Sequence, residues 1–126
     1  MQSHHSTSDT NASREDVDKV IKKFANLGLQ VHITELDVKT ANDSEEELQK
    51  QAKIYQNYLE ACMLDNPGVC TAFLSWGVTD KYSCFGEAKH PLPFDGNYNK
   101  KHAYWRMLDL LNGLPDIARE ETTFLQ

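Results

Sequence analysis

The stretch from Val31 to Val38 constrains the fold more than any other part of the sequence. It reads Val-His-Ile-Thr-Glu-Leu-Asp-Val, a β-branched run that predicts a short strand ending in two carboxylates, Glu35 and Asp37. A polar break at 39–43 separates it from the next helical pattern. In parallel α/β folds the ligand crevice lies beyond the carboxyl ends of the strands. Acids at this end are therefore candidate catalytic groups.

A helix is predicted before this strand, and we place the strand itself at about 29–35. Ser13 is a suitable N-cap, Asp16 approximates a capping box, and Gly28 supplies the stop. The polar residues 1–11 predict the end of another strand running into a loop, although composition alone fits part of a purification tag nearly as well. The apolar residues at helical spacing, which we expect to be buried, are Val17, Val20, Ile21, Phe24 and Leu27.

A second helix and strand follow with short connections. Asn42, Asp43 and Ser44 are each plausible caps, and three glutamates then favour the positive end of the helix dipole. After a turn at 65–68, residues 69–76 predict an apolar strand buried on both faces. The buried stripe of this helix would be Leu48, Ala52, Tyr55, Leu59, Cys62 and Met63.

The remainder predicts a long loop and a final helix. Residues 77–99 have no helical period and contain several glycines and prolines, so this loop is either functional or mobile. A helix is expected at 101–112, followed by a tail at 113–126. The element order predicts an α/β domain over 1–112 with parallel strands and right-handed crossovers. The inward side chains of the last helix would be Ala103, Tyr104, Met107, Leu108 and Leu111.

Length and charge exclude several classes of protein. The 126 residues suffice for one modest domain, whereas a complete eight-fold α/β barrel typically needs about 250. Asp and Glu number 19 against 13 Lys and Arg, with no basic patch, so neither nucleic acid nor an anionic membrane is an expected partner. The sequence has no long apolar run and no signal peptide, so any export signal must lie outside this chain.

The three cysteines, Cys62, Cys70 and Cys84, lack metal-finger spacing, so no zinc site is expected. Cys62 lies near the end of a predicted helix and Cys70 near the start of the next strand. They either form a disulfide in an oxidising compartment or remain two buried free thiols.

Several motifs, taken in order, resemble the C-terminal half of glycoside hydrolase family 10. Members of that family are mainly retaining endo-1,4-β-xylanases on a (β/α)8 TIM barrel. The resemblance covers residues 2 to about 111 and implies a portion of the barrel from the end of the sixth strand through the eighth helix. The motifs are Gln2-Ser3-His4, Ile33-Thr34-Glu35-Leu36-Asp37-Val38, the run from Trp76 to Ser83, Pro91-Leu92-Pro93-Phe94-Asp95, and Asn97-Tyr98 through His102-Ala103-Tyr104.

The resemblance implies catalytic roles for three residues. Glu35 matches the nucleophile of the retaining mechanism, which would attack the anomeric carbon and form a glycosyl ester. His4 matches the histidine that hydrogen-bonds the nucleophile, so it would be native rather than a tag remnant. Glu35 and Asp37 are two positions apart and face one side of an extended segment, so His4 could bridge them. No metal or organic cofactor is expected.

Other residues would contact a xylan chain. Gln2 would line the same wall, and Trp76 matches the tryptophan that forms the floor of the sugar site next to the cleaved bond. By sequence alone such a tryptophan is more often plain core. Lys81 lies in the loop over the cleft, with a packing or lid role. Many members place a tryptophan where this chain has Cys84, so Phe85 would substitute for its stacking or the lid is altered.

The resemblance also bears on the cysteines and on the second catalytic group. Some eukaryotic members carry a disulfide that resembles a Cys62–Cys70 pair. The general acid/base of the family is a glutamate that follows an asparagine, and no such motif occurs here. Glu87, Asp80 and the glutamates at 45–47 are candidates only on paper, because surface or structural charge explains them better.

We therefore expect the C-terminal portion of a xylanase that carries the nucleophile half of the site. Two strands and three helices would expose a broad apolar face, so a partner is expected: the missing N-terminal half, another chain or a larger assembly. The alternatives are a remnant that binds xylan without cleaving it and a fragment without an independent fold. The family resemblance implies a secreted protein.

Overall fold

The computed structural model describes residues 1–113, which form a three-stranded parallel sheet and three α-helices. The sheet order is β1-β2-β3, so β2 is the central strand. This arrangement agrees with the predicted α/β alternation, and β1 is the strand end predicted within residues 1–11. The elements are β1 (Gln2–Ser6), α1 (Arg14–Ala25), β2 (Val31–Lys39), α2 (Glu45–Glu60), β3 (Cys70–Ser75) and α3 (His102–Gly113).

Helix α1 begins as predicted, with the Ser13 side chain accepting from the backbone N–H of Asp16. Val17 and Ile21 are buried against the core. The prediction of a wider buried face is wrong, because the side chains of Val20, Phe24 and Leu27 are exposed. Within residues 1–113 no element covers that flank of the helix, so a sequence pattern suited to burial is left facing outward.

Helix α2 and strand β2 contribute most of the apolar side chains that are buried in the core, with α2 supplying Ala52, Ile54, Tyr55, Tyr58 and Leu59. Ser44 is its N-cap, and a π-helical turn at Ala61–Asp65 continues it. Of the predicted stripe, Leu48 and Met63 are only partly buried. The buried members are Ala52, Tyr55, Leu59 and Cys62.

Strand β3 differs from its prediction. It was expected to be buried on both faces, yet Leu74 in the strand and Trp76 just after it are about half exposed. The physical reason is position, since β3 pairs only with β2 and is an edge strand of the sheet. The Cys62–Cys70 disulfide joins the start of the π-helical turn to the start of this strand, and Cys84 is free and exposed.

The loop at 77–99 contains no α-helix, only two short 3-10 turns at Asp80–Tyr82 and Glu87–Lys89. It is fastened to the end of β2, because the Val38 N–H donates to Pro91 O at 3.0 Å and the Thr40 N–H to Lys89 O at 3.0 Å. The loop is therefore held over the carboxyl edge of the sheet.

Helix α3 begins and ends one residue later than predicted and includes Gly113, the first residue of the expected tail. The rest of that tail lies outside the described residues. Ala103 is fully buried, whereas Leu111, expected to face inward, is exposed. No helix within residues 1–113 has the length and apolar character to cross a membrane.

Candidate active site

The strand register brings the predicted polar residues together. In the parallel pair of β1 and β2, Gln2 lies opposite Glu35 and His4 lies opposite Asp37. Alternate residues of a strand share one face, so all four positions are on the same face of neighbouring strands. On β2, Glu35 is the middle residue and Asp37 lies toward the carboxyl end, where parallel sheets bind ligands; on β1, Gln2 is the first residue and His4 the middle one.

Hydrogen bonds link these four side chains into one cluster. The Gln2 Nε2 donates to Glu35 Oε1 at 2.9 Å. The two ring nitrogens of His4 face different carboxylates: Nδ1 lies 2.9 Å from Asp37 Oδ2, and Nε2 lies 3.4 Å from Glu35 Oε2. Both nitrogens donate when the imidazole is protonated. His4 thus bridges the two acids, and each Glu35 oxygen has a neighbour that fixes its orientation.

The two carboxylates have different environments. The Asp37 side chain is 1% exposed, whereas that of Glu35 is 16% exposed. Burial raises the pKa of Asp37, and the hydrogen bond with His4 opposes that rise. Asp37 Oδ1 has no hydrogen-bond partner within residues 1–113. Glu35 is therefore the acid that a ligand can reach, and Asp37 is the buried group behind His4.

Phe85 borders this cluster. Its ring lies edge-on to the His4 imidazole, with the two ring centroids 6.1 Å apart. The ammonium of Lys39, the last residue of β2, lies 4.5 Å from the centroid of the Phe85 ring. The structure thus brings Phe85 to the site. Sequence reasoning missed Lys39, although its place two residues after Asp37 in the same alternation could have indicated it.

The side chains of Trp76 and Lys81 are both exposed. The backbone N–H of Trp76 donates to Leu36 O at 2.9 Å, so this 47% exposed side chain starts beside β2, level with Glu35 and Asp37. Lys81 is exposed, with its Nζ 5.5 Å from the Tyr82 ring centroid. No hydrogen bond or ion pair among the described residues joins Lys81 to the four-residue cluster.

A buried ion pair holds the loop and was not foreseen. Lys101 Nζ donates to Asp80 Oδ2 at 3.0 Å and to the carbonyl oxygens of His90 at 2.7 Å and Leu92 at 2.8 Å. Burial raises the pKa of Asp80, opposed by the Leu92 N–H and by Lys101, and burial lowers the pKa of Lys101. Asp80 is therefore structural. No local sequence pattern relates two residues 21 positions apart.

The cluster suits nucleophilic chemistry better than metal chemistry. Within residues 1–113 no group of three His, Cys, Asp or Glu side chains is arranged to hold a metal ion. A reachable carboxylate with both oxygens oriented can attack an electrophilic carbon and form an ester. A second carboxyl group about 5–5.5 Å away is what a retaining glycosidase adds to this.

Comparison with known proteins adds independent information. The model of Glycosyl hydrolase family 10 matches residues 1–110. Endo-1,4-beta-xylanase B of Neocallimastix patriciarum is 38% identical over 99 residues, which are 79% of this chain and 11% of that protein. The chain therefore spans only a small part of the length of this relative.

Solved structures of xylanases are also similar to this chain. Native xylanase 10B from Thermotoga maritima is similar with a TM-score of 0.76 and 36% identity, over 94% of this chain and 36% of that one. Xylanase 10B from Thermotoga petrophila, solved with xylobiose, has a TM-score of 0.76 and 38% identity, over 88% of this chain and 35% of that one.

Proposed function

Since the chain belongs to glycosyl hydrolase family 10, with the fold of a barrel fragment, we propose that it supplies the nucleophile half of an endo-1,4-β-xylanase. The whole enzyme would hydrolyse internal β-1,4 bonds of xylan with retention of configuration. The observation that carries this proposal is the orientation of Glu35 between Gln2 and His4, with Asp37 buried behind His4.

In this mechanism a Glu35 oxygen attacks the anomeric carbon as the bond to the leaving oxygen breaks, and the acid/base of a complementary polypeptide would protonate that oxygen. The resulting glycosyl ester is then hydrolysed by water, which restores the carboxylate. Gln2 and His4 would hold Glu35 in the attacking orientation, and such positioning lowers the entropic part of the barrier. Asp37 would keep the His4 ring in place through the 2.9 Å contact to Nδ1.

Xylan is the substrate class that the relatives favour. The Neocallimastix relative is described as an endo-1,4-beta-xylanase, and the Thermotoga petrophila enzyme was solved with xylobiose. The exposed indole of Trp76 offers a flat apolar surface that suits the face of a pyranose ring. Lys81 would act in the loop over the cleft.

We also propose that β1, β2 and β3 are the sixth, seventh and eighth strands of the barrel. The remaining strands and the acid/base would then come from a complementary polypeptide, in the same chain or another. Two open sheet edges and the exposed side chains of Phe24, Leu27 and Leu74 support this. The Cys62–Cys70 disulfide supports a secreted protein, since disulfides persist in oxidising compartments.

A second candidate function is binding of xylan without hydrolysis. It is favoured by one observation: no asparagine in the 126 residues is followed by a glutamate, so the expected acid/base motif is missing. Trp76, Gln2 and the cleft loop would still offer contacts to a sugar chain.

Release of reducing sugar from xylan distinguishes the two. The 126-residue chain would be compared with Glu35→Gln and with a control, Glu46→Gln, whose side chain is 78% exposed on α2. The xylanase proposal predicts that, once the polypeptide carrying the acid/base is supplied to each variant, xylan is hydrolysed and only Glu35→Gln abolishes that activity. Hydrolysis unaffected by Glu35→Gln would refute the assignment, and binding of xylo-oligosaccharide without release would favour the second candidate.

A further inference from the structure

Lys39 is a partly buried lysine at the carboxyl end of β2. It follows Glu35 and Asp37 at alternate positions, so the three side chains share one face of the strand. Its backbone is fixed, because Lys39 O accepts from the Thr7 N–H at 2.9 Å. The lysine is thus mounted on the same rigid element as the proposed nucleophile.

Phe85 places the ammonium group at the rim of the same cleft. Lys39 Nζ lies 4.5 Å from the Phe85 ring centroid, and that ring meets the His4 imidazole edge-on at 6.1 Å. One face of Phe85 is therefore occupied by a cation. Because a sugar cannot stack on that face, the role of Phe85 differs from simple stacking.

The Lys39 charge has no ion-pair partner within residues 1–113. Two acids, Asp9 and Asp37, interact electrostatically with Lys39. Each already has a histidine partner: His5 lies 3.0 Å from Asp9, and His4 lies 2.9 Å from Asp37. The other lysines without an ion-pair partner in this part of the chain are all exposed, whereas Lys39 is partly buried: Lys23, Lys53, Lys81, Lys89 and Lys100.

An ammonium in this setting favours an anionic ligand. Partial burial strips water from the charge, and the aromatic ring compensates only in part. A lysine has three N–H donors, and a carboxylate accepts from them strongly. Four residues of strand place Lys39 roughly 13 Å from Glu35 along the chain, too far to touch the reacting bond.

We propose that Lys39, backed by Phe85, forms a subsite for a carboxylate carried by the substrate, namely a uronic acid side group on the xylan chain. The proposal rests on the proposed function, because it takes xylan as the ligand. It adds a preference for acidic over neutral xylan that arises from one residue outside the catalytic cluster.

The test measures the Kd of the 126-residue chain for two xylo-oligosaccharides of equal backbone length, one neutral and one bearing a uronic acid. The acidic ligand should bind about tenfold more tightly, as one charge-assisted contact implies. Lys39→Met should remove that preference and leave the neutral Kd unchanged. Lys39→Arg should retain it, and the control Lys53→Met, at an exposed position on α2, should match the wild type.

Two outcomes would overturn the inference and are distinguishable. Equal affinity of the wild type for both ligands, or an equal loss of both in Lys39→Met, refutes the acidic subsite and leaves the xylanase proposal standing. Failure of the wild type to bind either ligand, both alone and with the polypeptide that supplies the missing strands, refutes the proposed function, and the subsite with it.

Discussion

Replacing Lys101 by methionine tests whether a buried ion pair holds the loop over the cleft. The Lys101 side chain is 8% exposed and that of Asp80 is 1% exposed. The ammonium donates to Asp80 and to the carbonyl oxygens of His90 and Leu92, which lie in the loop that carries Phe85. Loss of these contacts should loosen that loop and destabilise the fold.

The magnitude follows from what the substitution leaves behind. In Lys101→Met the buried Asp80 carboxylate keeps the 2.7 Å hydrogen bond from the Leu92 N–H and the more distant His90 Nδ1 at 4.0 Å. The Leu92 carbonyl oxygen loses its donor, whereas that of His90 still accepts from Gln51 Nε2. Breaking a buried pair by removing one partner costs about 3–5 kcal/mol of the free energy of unfolding. Adding Asp80→Asn removes the stranded charge, so the double variant should lose less than the sum of the single losses by about 1–3 kcal/mol.

A lower pH should reduce the loss of stability caused by Lys101→Met. Burial already raises the pKa of Asp80, and without Lys101 the folded-state pKa rises further above the ordinary 3.8. The folded variant then binds a proton at a higher pH than the unfolded chain does. The destabilisation is therefore full at neutral pH and shrinks as the pH falls through the folded-state pKa.

Urea unfolding followed by circular dichroism measures all three variants over this pH range. A loss below about 1 kcal/mol in Lys101→Met, or additive losses in the double variant, would refute the reasoning. Either result would mean that the pair is not a buried, coupled unit.

Three further predictions concern other parts of the fold. Cys62→Ala with Cys70→Ala should lower the free energy of unfolding by about 2.5 kcal/mol, since the bridge closes a loop with a sequence separation of 8. Hydrogen bonds from the Ala41 N–H, Thr7 and Lys50 lower the pKa of Glu47 from 4.5 to about 2. The stabilisation that Glu47 gives the fold is therefore present above pH 4.5 and lost as the pH falls toward 2. Glu47→Gln should flatten this part of a stability–pH curve. Gly77→Ala should cost more than about 1 kcal/mol, because Gly77 has φ +118° and an added Cβ would lie 2.9 Å from Leu92 Cδ1.

Each has a clear contrary result. A disulfide variant as stable as the wild type, with no effect of a thiol reductant on wild-type melting, contradicts the first. Parallel stability–pH curves for wild type and Glu47→Gln contradict the second. An unchanged melting temperature in Gly77→Ala contradicts the third.

The members of the candidate cluster could be predicted from the sequence, because the alternation of side chains along a strand depends only on neighbouring residues. Gln2 and His4 are two apart, as are Glu35 and Asp37, so each pair shares a face once its segment is a strand. The register that sets His4 opposite Asp37 is not local, and only the family resemblance linked the two segments. The family itself is confirmed by the match over residues 1–110.

The failures share a physical cause. Phe24 and Leu27 have apolar side chains at helical spacing, and Leu74 lies in an apolar strand, yet all three are exposed. Periodicity shows which face of an element suits burial, but not whether residues 1–113 supply the covering surface. The Asp80–Lys101 pair was missed for a different reason, since contacts between distant residues depend on how the loop closes.

Covalent trapping of Glu35 tests the central claim most directly. A 2-fluoro xylobioside with a dinitrophenolate leaving group needs no general acid, because that phenolate departs without protonation. The chain would be incubated with this probe, digested and analysed by mass spectrometry. We predict one fluoro-xylobiosyl ester on Glu35 and none in Glu35→Gln; labelling of another residue, or no label in a chain that binds xylobiose, would contradict the assignment.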